Sequence, residues 1–331
     1  MKKSILHSFA AFLTLAIGIA GCTTDHVVPI PEPARFAVTT IDTTLRSPIG
    51  LEMDGSGNLW IAEIGTGNND GAIVMFTPGG QKTTVISGFH SAAGPESNEG
   101  LSHIKFVNGK LYILHGIDGI LYVADISGFK AGDPQIQMTS LQQTDFGTYS
   151  RSLNLTDPVN SNIFDMEFDA AGNAYVVDAG ANAIFKWDKS TGNISLFAKI
   201  PSVAGGTIDA VPTGIVFDGS KFLVSSLTGF PFAPGNAKIF AVDLNGNVSI
   251  YKDGFTMLTH IELSANNKPI VTKFSDFALP KGFVPFSGAI LNEDGTVLAG
   301  GLMMPTDIRR TGDRQFHVIS FALGQLYKLT Y

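Results

Sequence analysis

A motif of four short apolar runs recurs along this chain with a nearly constant period, and that recurrence constrains the fold more than any other feature. Its clearest copy reads PIGLEMDGSGNLWIAEIGTGNNDGAIVMFTPGGQKTTVISGF, residues 48–89. Related stretches begin at SHIKF, FDMEF, PTGIVF, THIEL and PTDIRR. Setting the second run in register aligns Trp60, Tyr112, Tyr175, Leu223, Ile270 and His317, with gaps of 52, 63, 48, 47 and 47 residues. A unit of roughly 40–50 residues holding four strands is the sequence signature of a β-propeller blade. Six units predict an all-β, six-bladed propeller with four-stranded antiparallel blades.

The physical case is alternation. The first run of each unit carries an apolar pair at i, i+2: Leu51/Met53, Ile104/Phe106, Met166/Phe168, Ile215/Phe217 and Ile261/Leu263. Period two in β-branched and aromatic residues argues strand rather than helix. The connections DGSGN, VNGK, DAAGN, DGSK and SANNK supply the Gly and Asn that tight hairpin turns need. The sixth unit departs from the pattern, because Ile308 is followed by Arg309 and Arg310 where an apolar residue is expected. The C-terminal run Gly324–Tyr331 supplies only a third strand, so Arg35–Ile41 is expected to serve as the outermost strand of the sixth blade. That pairing would close the ring and remove an exposed edge.

The repeat fills residues 35–331 and predicts one domain. Ahead of it, MKK and the apolar run Ile5–Ile19 read as a signal peptide over residues 1–21, too short to span a bilayer comfortably. Ile19-Ala20-Gly21-Cys22 resembles the bacterial lipobox, which makes Cys22, the only cysteine, a lipidation site. Residues 22–34, with Pro29, Pro31 and Pro33, read as a stiff tether. The expected location is the bacterial cell envelope, reached through the lipid anchor alone, and the outer membrane where one exists, since Thr23 rather than Asp follows the cysteine. A formal net charge of −7 and the lack of a Lys/Arg cluster argue against a nucleic-acid partner. A monomer is expected.

Three stretches carry a family resemblance: AEIGTG, VDAGANA and LTGFPFAPG, which simple blade repeats do not require. With the surrounding repeats they resemble the ScyD/ScyE family of NHL-like bacterial propeller proteins over nearly the whole mature chain. The resemblance implies an exported six-bladed propeller and no established reaction. More distantly the repeat is similar to gluconolactonase-like and strictosidine-synthase-like propellers, some of them metal-dependent enzymes. The last two blades depart from the family's glycine-rich pattern.

Two polar positions recur on the face where innermost strands begin, here termed the top. One reads Gly50, His103, Asp165, Gly214, His260, Asp307. The other, at the end of each second strand, reads Glu63, His115, Asp178, Ser226, Lys273, Ser320. A wet polar channel mouth is the plain reading. A ligand site, or one divalent metal ion in the central channel held by His103, Asp165, His260 and Asp307, is the sharper one, because imidazole and carboxylate are good ligands and converging polar groups mark pockets. Glu63, His115 and Asp178 form the candidate second ring, and Phe230 and Phe232 lie in an aromatic top loop that could rim a pocket. No G-x-S-x-G, H-E-x-x-H, phosphate-loop or dinucleotide motif is present. These features favour an envelope-anchored binding or scaffold protein that takes a small molecule or another envelope protein. The alternative is a metal-dependent hydrolase or lyase of the lactonase-like propeller type.

Overall fold

A computed structural model describes residues 29–94 and 97–331. The expected signal peptide, Cys22 and most of the expected tether lie outside the described residues. The repeat folds as six four-stranded antiparallel sheets. Blade I comprises Pro48–Met53, Leu59–Glu63, Gly71–Phe76 and Lys82–Phe89. The innermost strands of blades II to VI are Leu101–Val107, Ile163–Phe168, Pro212–Phe217, Leu258–Leu263 and Pro305–Gly312. Blade VI is completed from the other end of the chain: Ala37–Asp42 pairs antiparallel with Gln325–Thr330, Ala37 opposite Thr330. The closure predicted from the missing fourth strand is present, shifted by two residues at its start.

The core is divided among the blade interfaces. One apolar cluster fills each of the six junctions among the described residues, from Trp60, Ile73 and Ile113 between blades I and II to Leu51, Ile61 and Ile319 between blades VI and I. Leu51, Ile104, Met166, Ile215, Ile261 and Ile308 each belong to the cluster shared with the preceding blade. Side chains alternate along a strand, so the residues between them turn toward the propeller axis. Phe36, just ahead of the closing strand, packs edge-on against Phe316 at 5.4 Å and Tyr331 at 5.7 Å.

Two local features were not visible in the repeat. The connection between blades II and III contains a short helix, Phe146–Ser152, capped by Asp145 through the Thr148 N–H at 2.9 Å. It drives Phe146 fully into the junction of those blades. The last residues of the expected tether are also docked: Glu32 Oε1 accepts from Ser264 Oγ at 2.8 Å and Asn266 Nδ2 at 2.7 Å, and the Ile30 carbonyl accepts from Asn266 Nδ2 at 2.9 Å. Ser264 and Asn266 form the turn after the innermost strand of blade V, on the bottom face. Among the described residues no helix is long and apolar enough to cross a membrane.

Candidate functional site

The top of every blade is built alike. The residue after each second strand (Ile64, Gly116, Ala179, Leu227, Phe274 or Phe321) donates its N–H to the carbonyl of the residue at or before the start of the innermost strand (Ser47, Gly100, Asn162, Val211, Met257 or Met304), at 2.8–3.0 Å. Just beyond, each innermost strand carries one residue more than its partner, between Pro48 and Gly50, Leu101 and Ile104, Ile163 and Asp165, Pro212 and Ile215, Leu258 and His260, and Pro305 and Asp307. A bulge bends the strand and re-aims its side chains. Here six bulges act in concert at the channel mouth.

Directly below the bulges lies the ring Gly50, His103, Asp165, Gly214, His260, Asp307. Its two halves repeat the order Gly-His-Asp, and the structure repeats with them. Asp307 Oδ2 accepts the Leu51 N–H of the next blade at 2.6 Å, and Asp165 Oδ2 accepts the Ile215 N–H of its next blade at 2.9 Å. A Cβ on Gly50 would meet His103 Cα at 2.7 Å, and one on Gly214 would meet His260 Cα at 2.9 Å. The glycines are where adjacent innermost strands approach most closely, and the histidines follow on the next blade.

The four ring side chains are all but sealed from solvent, at 1–2% exposure. His260 Nε2 lies 3.2 Å from Asp307 Oδ1, His260 Nδ1 lies 3.5 Å from Asp165 Oδ2, and His103 Nε2 lies 3.7 Å from Asp307 Oδ2. The two imidazoles stack at 5.0 Å. His103 Nδ1 contacts the Phe164 carbonyl at 3.0 Å and so carries the proton, leaving Nε2 with its lone pair. His103 Nε2, both nitrogens of His260 and Asp307 Oδ1 make no hydrogen bond. Leaving a buried polar atom unsatisfied costs about 1–3 kcal/mol, so four such atoms around one axis call for a proton or a cation among them. Burial holds His260 well below the usual imidazole range, with the neighbouring His103 and Arg309 adding to it, and burial pushes Asp307 well above the usual carboxylate range. Burial also raises Asp165, opposed by His103, and lowers His103, opposed by Asp165. One ligand atom from each of His103, Asp165 and His260 lies within 4.8 Å of the others. Two neutral imidazoles and two carboxylates form a mixed N/O donor set that suits zinc, manganese or iron better than calcium, which prefers oxygen.

One pleat further down, a second layer of channel residues is charged and paired. Arg309 reaches Glu52 at 3.0 Å through Nη2 and Glu262 at 3.0 Å through Nη1, while Lys105 reaches Glu167 at 2.9 Å. Burial works against the charge on Arg309, but the two glutamates outweigh it and raise its pKa. For Lys105 burial is likewise outweighed by Glu167. Arg309 therefore does not fail the blade pattern: it occupies the axis-facing phase of its strand, as Glu52, Lys105, Glu167 and Glu262 do. Charge at every second position was the available signal, hidden because the apolar phase alone defined the repeat.

Above the ring the top face opens into a cavity of about 300 Å³. Bulge residues Ile49, Ser102, Phe164, Thr259 and Thr306 line it from below, and Ile64, Leu227, Phe274 and Phe321 line its walls. Among the described residues Glu99 is the only ionisable side chain in the lining. None of the four ring residues reaches the cavity surface; a single layer of bulge side chains separates them from it.

The other sequence candidates lie elsewhere. Glu63 accepts from the Arg46 N–H at 3.2 Å and Lys82 Nζ at 3.3 Å, toward the outer strand of its own blade. Asp178 is consumed as a structural acceptor by Ser150 Oγ, Ser161 Oγ and the N–H groups of Asn162 and Ala181, at 2.7–3.0 Å. His115 is buried and bonded to the His90 carbonyl at 2.8 Å. These three face away from the ring, and in blades I, IV, V and VI it is the residue after the second strand that turns to the cavity. Phe232 lines the cavity and packs on Phe277 at 5.2 Å, whereas Phe230 is 61% exposed on the outer side of the same cluster.

The fold and site together define a six-bladed propeller with a polar channel core beneath an apolar top cavity. No protein-family model matches the chain, and no curated protein matches it in sequence. Solved structures do. A calcium-binding regucalcin from Agrobacterium tumefaciens superposes with a TM-score of 0.56 at 15% identity, over 89% of this chain and 94% of that one. A gluconolactonase from Xanthomonas campestris gives 0.54 at 9% identity, over 89% of each chain. Virginiamycin B lyase from Staphylococcus aureus gives 0.53 at 13% identity, over 90% of this chain and all of that one. At such identities the likeness is one of fold.

Proposed function

We propose that the protein is a metal-dependent hydrolase or lyase of the lactonase-like propeller type, acting on a small, uncharged and mostly apolar molecule held in the top cavity. The observation that carries this reading is the set of unsatisfied donor atoms on His103, His260 and Asp307 directly under that cavity. Regucalcin, gluconolactonase and the lyase on the same fold support it. His103, Asp165, His260 and Asp307 would hold the ion. A bound divalent ion there would supply Lewis-acid polarisation of a carbonyl or a water of lowered pKa. The chain's own contribution is rigid placement. The Leu51 and Ile215 N–H groups fix the two carboxylates, the Phe164 carbonyl fixes the His103 tautomer, and Phe232, Phe274, Phe283 and Phe321 give the cavity apolar walls.

A second reading keeps the protein as a binding or scaffold propeller, possessing the same cavity without chemistry. It is favoured by the bulge layer between ring and cavity and by the exposed Phe230 and Phe286 on the top loops. In both readings Cys22 is lipidated and the chain is anchored at the cell envelope. Ile30 and Glu32 are pinned to the bottom face, so such an anchor turns the cavity away from the membrane. The ScyD/ScyE resemblance is compatible with either.

The test is elemental analysis of the full chain purified from its native membrane, followed by a panel of apolar lactones and esters. Stoichiometric metal with turnover that His260→Ala abolishes supports the enzyme. A metal-free protein that binds members of the panel without converting them returns the scaffold reading.

A further inference from the structure

A second group of ligand-type side chains stands apart from the channel, at the junction of blades I and II. His115, Ile117 and Asp118 belong to the tight connection His115-Gly116-Ile117-Asp118-Gly119 between the second and third strands of blade II, and His90 directly follows the outermost strand of blade I. Ile117 lines the top cavity, so the group sits at its rim. His90 Nδ1 donates a hydrogen bond to Asp118 Oδ1 at 2.8 Å, a proton that a bound metal would displace, and His115 Nδ1 is 3.4 Å from Asp118 Oδ2. The two imidazoles are nearly parallel, 5.8 Å apart with planes 12° from one another.

The tautomer of His115 makes this arrangement informative. Its Nε2 lies 2.8 Å from the His90 carbonyl, which can only accept, so Nε2 carries the proton. In the neutral ring Nδ1 then holds a lone pair, and burial disfavours the charged ring. That lone pair accepts a long hydrogen bond from the Asp118 N–H at 3.4 Å, and Asp118 Oδ2 lies equally near it at 3.4 Å. An imidazole lone pair and a carboxylate oxygen this close are stabilised by a cation between them. A tetrahedral zinc ion with ligands at about 2.0–2.1 Å places its ligand atoms roughly 3.4 Å apart, and the His115–Asp118 separation fits that geometry. All three potential ligand atoms lie within 4.8 Å of one another.

We propose that His90 Nδ1, His115 Nδ1 and Asp118 form a divalent transition-metal site of the zinc class at the cavity rim, distinct from the channel ring and bridging blades I and II. The chain supplies the outer support that such sites use: the His90 carbonyl sets the His115 tautomer, and the Gly119 N–H returns to the His115 carbonyl at 2.9 Å, fixing the turn that carries Asp118. His90 is half-exposed and Asp118 one-third exposed, which leaves the fourth position open to water or to a group presented from the cavity.

The experiment is a zinc titration of the metal-stripped full chain in competition with a chromophoric chelator, on wild type, Asp118→Asn, His90→Ala and His260→Ala. Asp118 and His90 are surface side chains, so both variants should fold; circular dichroism and Tm of the zinc-free proteins verify it. Each should lose one zinc equivalent, or weaken it by more than about 100-fold, beyond what loss of an outer-shell contact causes. His260→Ala should keep that equivalent, which separates this site from the channel ring whatever the ring binds. Titrations of Asp118→Asn and His90→Ala indistinguishable from wild type would overturn the proposal, as would wild type taking up no zinc.

Discussion

The two polar layers of the channel are one pleat apart on the same six strands, yet they are built on opposite principles. The lower layer, Glu52, Lys105, Glu167, Glu262 and Arg309, is charged and closed, with every acid facing a base within 3.0 Å. The upper layer, His103, Asp165, His260 and Asp307, holds no permanent cation and leaves four polar atoms without a hydrogen bond, against two in the lower layer, Glu52 Oε2 and Arg309 Nε, both on side chains held in an ion pair. Long side chains with fixed charge neutralise one another and plug the channel. Short side chains that titrate leave ligand atoms converging on the axis without a fixed counter-charge. The difference teaches that channel polarity alone does not mark a site; converging ligand atoms with no permanent cation to pair them do.

The largest effect should come from opening the lower layer. Arg309→Ala strands Glu52 and Glu262 together in the channel, and breaking a buried ion pair costs about 3–5 kcal/mol, so urea unfolding should show a loss of that order. If Arg309→Ala costs under about 1 kcal/mol, the lower layer is wet rather than closed.

The upper layer should behave in reverse. His260→Ala should change the stability of the metal-free protein little, since it removes two unsatisfied atoms with the ring. It should instead abolish the Tm rise on adding zinc or manganese, a gain of about 2.7 kcal/mol in wild type at a hundredfold excess over Kd. Because the rim trio also accepts zinc, the comparison is best made in the Asp118→Asn background. Equal Tm shifts with and without His260 in that background would erase the contrast between layers.

Glu167→Gln tests the lower layer more gently. Lys105 and Glu167 are about 15% exposed at their side chains, so solvent screens part of the loss and roughly 1–3 kcal/mol is expected. A neutral outcome would mean that Lys105 finds Glu52 instead.

The smallest effect is in pH dependence, and its sign separates the upper-layer groups. His260 has a folded pKa depressed well below 6.5, so its contribution is present above about pH 6.5 and is lost as pH falls from there toward the folded value. Asp307 has a raised folded pKa; its contribution is present below about 3.8 and is lost as pH rises through the folded value. Between about pH 4 and 6.5 the two oppose each other. In the metal-free protein His260→Ala should therefore flatten the rise of stability with pH, and Asp307→Asn should steepen it. Changes of the same sign in both variants would contradict the assigned protonation states.

Much of this molecule was legible in the chain. Period-two apolar pairs and Gly/Asn turns specified the strands, their recurrence specified six blades, and a missing last strand specified closure by the N-terminal segment, because an unpaired edge is costly and only one spare strand existed. The axis-facing positions His103, Asp165, His260 and Asp307 could be picked out for the same reason: a polar residue breaking an apolar repeat is visible against it. What the sequence could not reveal is direction and distance. Whether Glu63, His115 and Asp178 turn to the axis depends on the phase of each second strand after the bulge, and the structure turns them away. That Arg309 completes a charged layer depends on ring closure bringing the axis-facing side chains of blades V, VI and I together. The meeting of His90 with His115 and Asp118 depends on two connections from different blades closing over one junction. Local pattern fixes what each strand is, since it is written in neighbouring residues; which side chains converge is decided only when six separate strands share an axis.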